Sequence, residues 1–116
     1  MSYIDGYLIP VPNDKKDAYK AVAEMAAPIF REHGATRVVE AWGDDVPDGK
    51  VTDFKRAVNA VEGENTVFSW IEWPDKATRD AGMKKVMEDP RMQDMSNMPF
   101  DGQRMIFGGF QPIVEA

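Results

Sequence analysis

The chain has 116 residues, 43% of them hydrophobic and 29% charged, a composition typical of one globular domain spanning residues 1–116. Its formal charge of −6 disfavours nucleic-acid binding, which depends on basic patches. The absence of cysteine excludes disulfides, thiolate metal sites and thiol catalysis. The sequence shows neither a signal-peptide pattern nor an apolar run of ~20 residues, so we expect a cytoplasmic protein that does not enter the membrane.

Strand and helix patterns alternate along the chain, and proline or glycine marks most of their ends. The first helix carries apolar side chains at helical spacing from Tyr19 onward, with a kink expected at Pro28. The turn at Asp101-Gly102 precedes the last strand, in which Gly108-Gly109 indicates a bulge or a close backbone approach. The predicted elements are a strand over 3–11, a helix from a cap at Asn13 or Asp14 to His33-Gly34, a strand over 36–42, an acidic loop over 43–50, a strand over 66–73, a helix over 76–87 and a strand over 104–114.

Two segments leave alternatives open. Residues 51–61 fit either a short helix or an extended connection, because Phe54, Ala57 and Val58 suit both patterns. Pro90 ends the second helix, and residues 92–95 can add one more turn before the last strand.

The order β-α-β-β-α-β predicts an α+β fold of the ferredoxin-like type. In this arrangement a four-stranded antiparallel sheet carries both helices on one face. Right-handed crossovers then place the first and third strands at the centre and the second and fourth at the edges.

Alternation along the strands divides their side chains between two faces. One face is mostly aliphatic and suits packing beneath the helices: Ile4, Leu8, Val39, Ala41, Val67, Ser69, Ile71, Met105 and Phe107. The other combines aromatic and charged side chains: Asp5, Tyr7, Glu40, Trp42, Phe68, Trp70, Glu72, Arg104 and Ile106. The second face is too apolar for solvent, so we expect another copy of the chain to cover it and to enclose a cavity.

This aromatic and charged face is the candidate ligand-binding site, because small-molecule pockets combine apolar walls with a few polar groups. We expect Arg104 to pair with Asp5, Glu40 or Glu72, and that ion pair is either purely structural or part of the pocket. The favoured function is a small-molecule binding or regulatory module with its pocket between the sheet and the partner. The alternative is a cofactor-independent enzyme of monooxygenase or isomerase type, in which Glu40 or Glu72 is the base and Arg104 holds an anionic or enolate group.

The remaining conspicuous residues favour structural roles, and we expect neither a metal nor a cofactor. His33 is the only histidine and fits a helix end. Asp44, Asp45 and Asp48 lack the spacing of a calcium loop. The methionines that cluster in the second half suit gaps in a core or a flexible interface: Met83, Met87, Met92, Met95 and Met98.

Four segments together resemble the YbaA-like family of small bacterial proteins, and they are residues 2–6, 43–52, 68–71 and 98–110. The resemblance covers essentially the whole chain and implies a dimeric α+β barrel. It brings no catalytic residues, because the function of that family is unknown. The wider barrel superfamily is similar to a scaffold used by cofactor-independent monooxygenases, haem enzymes, isomerases and binding modules, but a shared fold does not determine function.

Overall fold

The computed structural model describes residues 2–93 and 98–116, and within them four strands form one antiparallel sheet. The strands are β1 (Tyr3–Pro12), β2 (Arg37–Trp42), β3 (Glu64–Trp73) and β4 (Ile106–Phe110). Their order across the sheet is β2-β3-β1-β4, so β1 and β3 are central, as predicted.

In the described residues, two long α-helices and two short ones connect the strands, which confirms the ferredoxin-like α+β fold. They are α1 (Lys16–Glu32), α2 (Phe54–Ala57), α3 (Lys76–Glu88) and α4 (Pro90–Gln93). The long helices α1 and α3 cover one face of the sheet. The short helix α2 lies on the opposite face, where Phe54 meets Phe68 edge to face at 6.1 Å between ring centroids.

The ends of α1 differ in how well the sequence predicted them. The expected side-chain cap at Asn13 or Asp14 is wrong, because a 3₁₀ turn over Asn13–Lys15 leads into the helix. The backbone N–H of Asn13 donates instead to the carbonyl of Gly63 at 2.9 Å. At the other end the prediction is confirmed, since Gly34 takes a φ of 114°, which favours glycine. Between these ends the helix continues through Pro28 to Glu32.

The structure resolves one of the two alternatives that the sequence left open and describes part of the other segment. Residues 51–61 contain the short helix α2, which begins because the Asp53 side chain accepts from the backbone N–H of Arg56 at 2.8 Å. Of the turn expected over 92–95, the first two residues belong to α4 and the others lie outside the described residues. The last strand is shorter than the predicted 104–114, because its ladder with β1 covers only Ile106–Phe110.

The core lies between the sheet and the long helices. One cluster contains Ile9, Val11, Tyr19 and Val67, and a second is centred on Trp73, which is fully buried. Each aliphatic side chain buried in this way stabilises the fold by about 1.5–3 kcal/mol. In the described part of the chain, no helix has the length and apolarity that crossing a bilayer requires.

Candidate functional site

The strand register places the predicted site residues on two opposite faces of the sheet. Asp5, Tyr7, Glu40 and Trp42 face α1 and α3, together with Val67, Ser69 and Ile71. Phe68, Trp70, Glu72 and Ile106 face the other side, together with Ile4, Leu8, Val39 and Ala41. The expectation that all eight candidate residues share one face is therefore wrong. The assignment for β3 was correct, and that for β1 and β2 was reversed.

The reversal has a physical cause in β1. Four consecutive residues in the second half of this strand, Leu8 to Val11, are buried, and since successive side chains point to opposite faces, both faces are covered there. A strand buried on both sides shows a continuous apolar run and loses the alternation from which a face can be assigned.

Arg104 does not lie beside the carboxylates expected from the sequence. It precedes β4, and its Nη1 and Nη2 atoms each lie 2.7 Å from a carboxylate oxygen of Glu64. It also donates to Asp101 at 2.9 Å and to the carbonyl of Asn59 at 2.9 Å. Pairing with Asp5, Glu40 or Glu72 is thus wrong, although a two-pronged pairing with a carboxylate is present. The hydrogen bonds from Arg104 hold the pKa of Glu64 below its ordinary value.

Asp5 is buried, and contacts within the fold bind its carboxylate. Its side chain is 5% exposed and lies 2.7 Å from Nη2 of Arg79, which belongs to α3. The indole N–H of Trp73 donates to the same carboxylate at 2.9 Å. These contacts connect β1, β3 and α3, and they satisfy Asp5 without a ligand.

The open face of the sheet carries an apolar groove of about 660 Å³, which we call the open-face groove. Phe68 and Trp70 line it, with their ring centroids 5.7 Å apart. Beside it, Glu72 accepts from the indole N–H of Trp70 at 2.9 Å and lies 3.5 Å from Arg37. Large apolar side chains remain exposed here, including 49% of Phe68 and 61% of Phe110.

A second cavity of about 520 Å³ lies between the sheet and the long helices, and we call it the helix-side cavity. Its polar end is built by a row of residues that are direct neighbours across three strands. Ser69 of β3 is opposite Glu40 of β2 on one side and opposite Tyr7 of β1 on the other. Directly opposite residues share a face, so these three side chains enter the cavity together.

Tyr19 of α1 completes this end and forms, with Glu40 and Ser69, a hydroxyl–carboxylate cluster. The Tyr19 hydroxyl donates to Oε1 of Glu40 at 2.6 Å, and the Ser69 hydroxyl donates to Oε2 at 3.0 Å. Part of Glu40 is exposed, because β2 is an edge strand, but its carboxylate is turned toward these two hydroxyls. Each hydrogen bond to the ionised carboxylate is stronger than one between neutral groups.

Burial changes the acidity of the groups at this end of the cavity. Desolvation raises the pKa of Glu40 above its ordinary value, although the hydrogen bonds from Tyr19 and Ser69 act against the increase. Burial, followed by the Glu40 charge, raises the pKa of Tyr19. Burial, followed by the Asp5 charge, raises the pKa of Tyr7 to about 12. The cluster therefore combines a carboxyl group that holds its proton more strongly than usual with neutral phenols.

Tyr19 and Ser69 are the site residues that the sequence prediction missed. Tyr19 was assigned to the apolar stripe of α1, and Ser69 to the packing face of β3. Both positions are correct. The available signal was the hydroxyl itself, since a polar atom on a packing surface requires a hydrogen-bonding partner.

The lining of the helix-side cavity is also rich in methionine. These residues come from α3, α4 and the segment before β4: Met83, Met87, Met92, Met98 and Met105. Met95, which the sequence grouped with them, lies outside the described residues. Flexible thioether side chains adapt to the shape of what they contact.

Within residues 2–93 and 98–116, no group of three or more histidine or acidic side chains is arranged to hold a metal ion. His33 ends α1, and its Nε2 atom lies 3.1 Å from Oδ2 of Asp89. The capping role that was expected for His33 is thus present.

Comparison with known proteins identifies the family. The family described as "Protein of unknown function (DUF1428)" matches residues 2–102. The uncharacterized protein YbaA of Escherichia coli is 59% identical over 116 residues, which covers 99% of each chain. The chain belongs to this family. The resemblance noted from its sequence segments is therefore confirmed.

Solved structures with low sequence identity share the fold of this chain. A dimeric ferredoxin-like protein from an uncultured marine organism has a TM-score of 0.63 at 9% identity, and the match covers 100% of both chains. SnoaB, a cofactor-independent oxygenase from Streptomyces nogalater, has a TM-score of 0.55 at 11% identity, covering 98% of this chain and 95% of SnoaB. At such low identity these similarities show the fold of the DUF1428 chain and nothing about its chemistry.

Proposed function

We propose that this protein is a binding or regulatory module that holds an apolar small molecule in the helix-side cavity. The observation that carries the proposal is the composition of this cavity. Its volume of about 520 Å³ lies within the range of small-molecule sites, and its polar groups gather at one end. Such an arrangement buries the apolar part of a ligand and fixes its orientation through the hydroxyl–carboxylate cluster.

The open-face groove suits a different occupant. Its lining is apolar, and the exposed Phe68 and Phe110 side chains extend across a broad sheet surface. We propose that a second copy of the chain covers this surface, giving a homodimer. The description of one fold neighbour as a dimeric ferredoxin-like protein supports this proposal.

Two variants distinguish the cavities. Ala26 lines the helix-side cavity, so Ala26→Phe fills that cavity and is expected to abolish binding of N-phenyl-1-naphthylamine, a neutral probe whose fluorescence increases in apolar sites. Phe68→Ala changes the open-face groove and serves as the control, with binding expected to remain. Binding that survives Ala26→Phe but disappears in Phe68→Ala would move the site to the open face.

A natural ligand can then be sought by thermal shift. A ligand present at a hundred times its Kd stabilises the folded protein by ~2.7 kcal/mol, and Ala26→Phe should remove that shift. A compound that stabilises both proteins equally binds elsewhere.

Catalysis is a second candidate, favoured by the state of Glu40. A carboxylate with a raised pKa, held by Tyr19 and Ser69 at the end of an apolar cavity, can accept a proton from a bound substrate. Of the three candidate catalytic residues, this leaves Glu40, because Glu72 lies on the open face and Arg104 is paired with Glu64. Mass spectrometry of a ligand incubated with the protein tests this candidate. Turnover should disappear in Glu40→Gln while binding persists.

A further inference from the structure

We infer that the ligand of the helix-side cavity is an uncharged, largely apolar molecule bearing a hydroxyl group, and that this hydroxyl donates a hydrogen bond to Glu40. The inference rests on the proposed function and specifies the ligand class. Three features of the cavity support it. They are the unused hydrogen-bond acceptor positions of Glu40, the charges of the lining residues and the composition of the walls.

Glu40 has unused acceptor capacity. An ionised carboxylate offers about four lone-pair positions, and the hydrogen bonds from Tyr19 and Ser69 occupy one on each oxygen. The two hydroxyls hold the carboxylate in place and leave positions for a donor from the cavity. Tyr7 lines the same end and stays a neutral phenol. It can therefore donate to the oxygen of a bound hydroxyl.

The charges at this end disfavour an anionic ligand. Among the described residues that line the helix-side cavity, none is basic, and Glu40 is the one acidic side chain. Glu40 also lines an adjoining groove between α1 and β2 that holds two lysines, and both lysines have other contacts. Lys16 lies 5.5 Å from the centre of the Trp42 ring, and Lys20 lies 3.7 Å from Glu24. A carboxylate or phosphate entering the cavity would meet Glu40 without a compensating cation.

An ammonium group also fits poorly. It has three donors to satisfy and loses several kcal/mol of hydration when buried. The free positions on Glu40 accept fewer hydrogen bonds than an ammonium group must make. A hydroxyl has a single donor, which this site satisfies.

The walls determine the rest of the ligand. Apart from the methionines, the cavity is lined by apolar side chains that include Ile9, Phe30, Ile71 and Phe100. Thioethers make favourable contacts with ring edges, so an aromatic or polycyclic body is well accommodated. The inferred ligand class is therefore a phenol, an enol or an alcohol on such a body.

Four naphthalene probes test the inference on the unmodified protein at pH 7. The neutral donor 2-naphthol should bind roughly tenfold more tightly than 2-methoxynaphthalene, which lacks the donor. A hydrogen bond to a charged acceptor lowers the Kd by about this factor. It should also bind more tightly than 2-naphthoate and 1-naphthylmethylamine. Titration by fluorescence or calorimetry gives each Kd.

Two matched variants locate the acceptor. Glu40→Gln should remove most of the preference for 2-naphthol over 2-methoxynaphthalene, since a neutral amide is the weaker acceptor. Glu72→Gln changes a carboxylate on the opposite face of the sheet, and this variant should retain the preference for 2-naphthol. Loss of the preference in Glu72→Gln would overturn the inference.

The outcomes separate this inference from the proposed function. Equal binding of 2-naphthol and 2-methoxynaphthalene overturns the hydroxyl class and leaves an apolar binding cavity. Tighter binding of 2-naphthoate or of 1-naphthylmethylamine overturns the uncharged class. No binding of any probe overturns both the inference and the proposed function. Because the probe comparison uses the unmodified chain, it stays decisive even if Glu40→Gln fails to fold.

Discussion

At the scale of single residues, Glu40 and Glu64 show how neighbours set the charge of a carboxyl group. Glu40 is desolvated at the end of the helix-side cavity, and its pKa is raised. Glu64 is held by two hydrogen bonds from Arg104, and its pKa is lowered. A raised pKa in the folded state favours folding when the group is protonated, whereas a lowered pKa favours folding when it is ionised. The two residues should therefore give opposite pH dependences.

The first prediction concerns Glu40→Gln and Glu64→Gln, measured by urea unfolding between pH 3 and pH 8, a range that includes the acid region where Glu64 is protonated. The free energy of unfolding of the wild type minus that of Glu40→Gln should fall as the pH rises through the folded pKa of Glu40. The same difference for Glu64→Gln should grow as the pH rises, because the stabilisation by ionised Glu64 is lost only when acid protonates it. Differences that do not vary with pH, or that vary in the same direction, would contradict these environments.

The second prediction concerns Arg104. Arg104→Met leaves the Glu64 carboxylate, whose side chain is 8% exposed, without its cation, so the melting temperature should fall. Adding Glu64→Gln should recover part of the loss, because the unpaired charge is removed. Arg37→Met is the control. The Arg37 side chain is 63% exposed and lies 3.5 Å from Glu72, so its loss should change stability by about 0.5 kcal/mol or less. An equal effect of the two arginine variants would refute the structural role of Arg104.

At the scale of elements, the sequence predicts what local chemistry determines. The order of strands and helices and the glycine end of α1 follow from patterns within a few residues of each feature, and the central position of β1 and β3 follows from that order and the right-handed crossover rule. The faces of β1 and β2 cannot be predicted from such patterns, because the second half of β1 is buried on both sides and β2 carries Val38 and Val39 on opposite faces. The hydroxyl–carboxylate cluster could not be assembled for the same reason. It joins β2, β3 and α1, and only the register across strands brings Glu40 opposite Ser69.

Helix α3 approaches the rest of the fold at Gly82, which gives the third prediction. A Cβ at Gly82 would collide with the carbonyl of His33 and lie 2.6 Å from the Trp73 ring. Alanine is ordinarily preferred to glycine inside a helix by about 1 kcal/mol, but overpacking costs about 1–3 kcal/mol. Gly82→Ala should therefore lower the free energy of unfolding. Gly102→Ala is the control, since nothing lies within 4 Å of its added Cβ. An unchanged or higher urea midpoint for Gly82→Ala would show that the helix can move away.

At the scale of the whole molecule, the two faces of the sheet have different requirements. The helices cover one face, and the open face keeps Phe68, Ile106 and Phe110 about half or more exposed. Specific protein interfaces bury about 800 Å² on each partner, with an apolar centre. A sheet face of this kind suits the centre of such an interface. A dimer formed through the open face would leave the helix-side cavity of each copy on the far side of its own sheet, so that assembly and ligand binding can be tested separately.

The fourth prediction is that the protein in solution has twice the 13.0 kDa mass of one chain. Light scattering at micromolar concentration measures this directly. Phe68→Glu places a charge at the centre of the open face, where burial against a partner would leave it unpaired, so the variant should be a folded monomer. Val51→Glu is the control, because Val51 is 92% exposed on a loop and should leave the dimer intact. A stable, folded monomer of the unmodified chain would contradict the dimer and the barrel that two such sheets would form. If Phe68→Glu stays dimeric, the contact between copies lies on another surface.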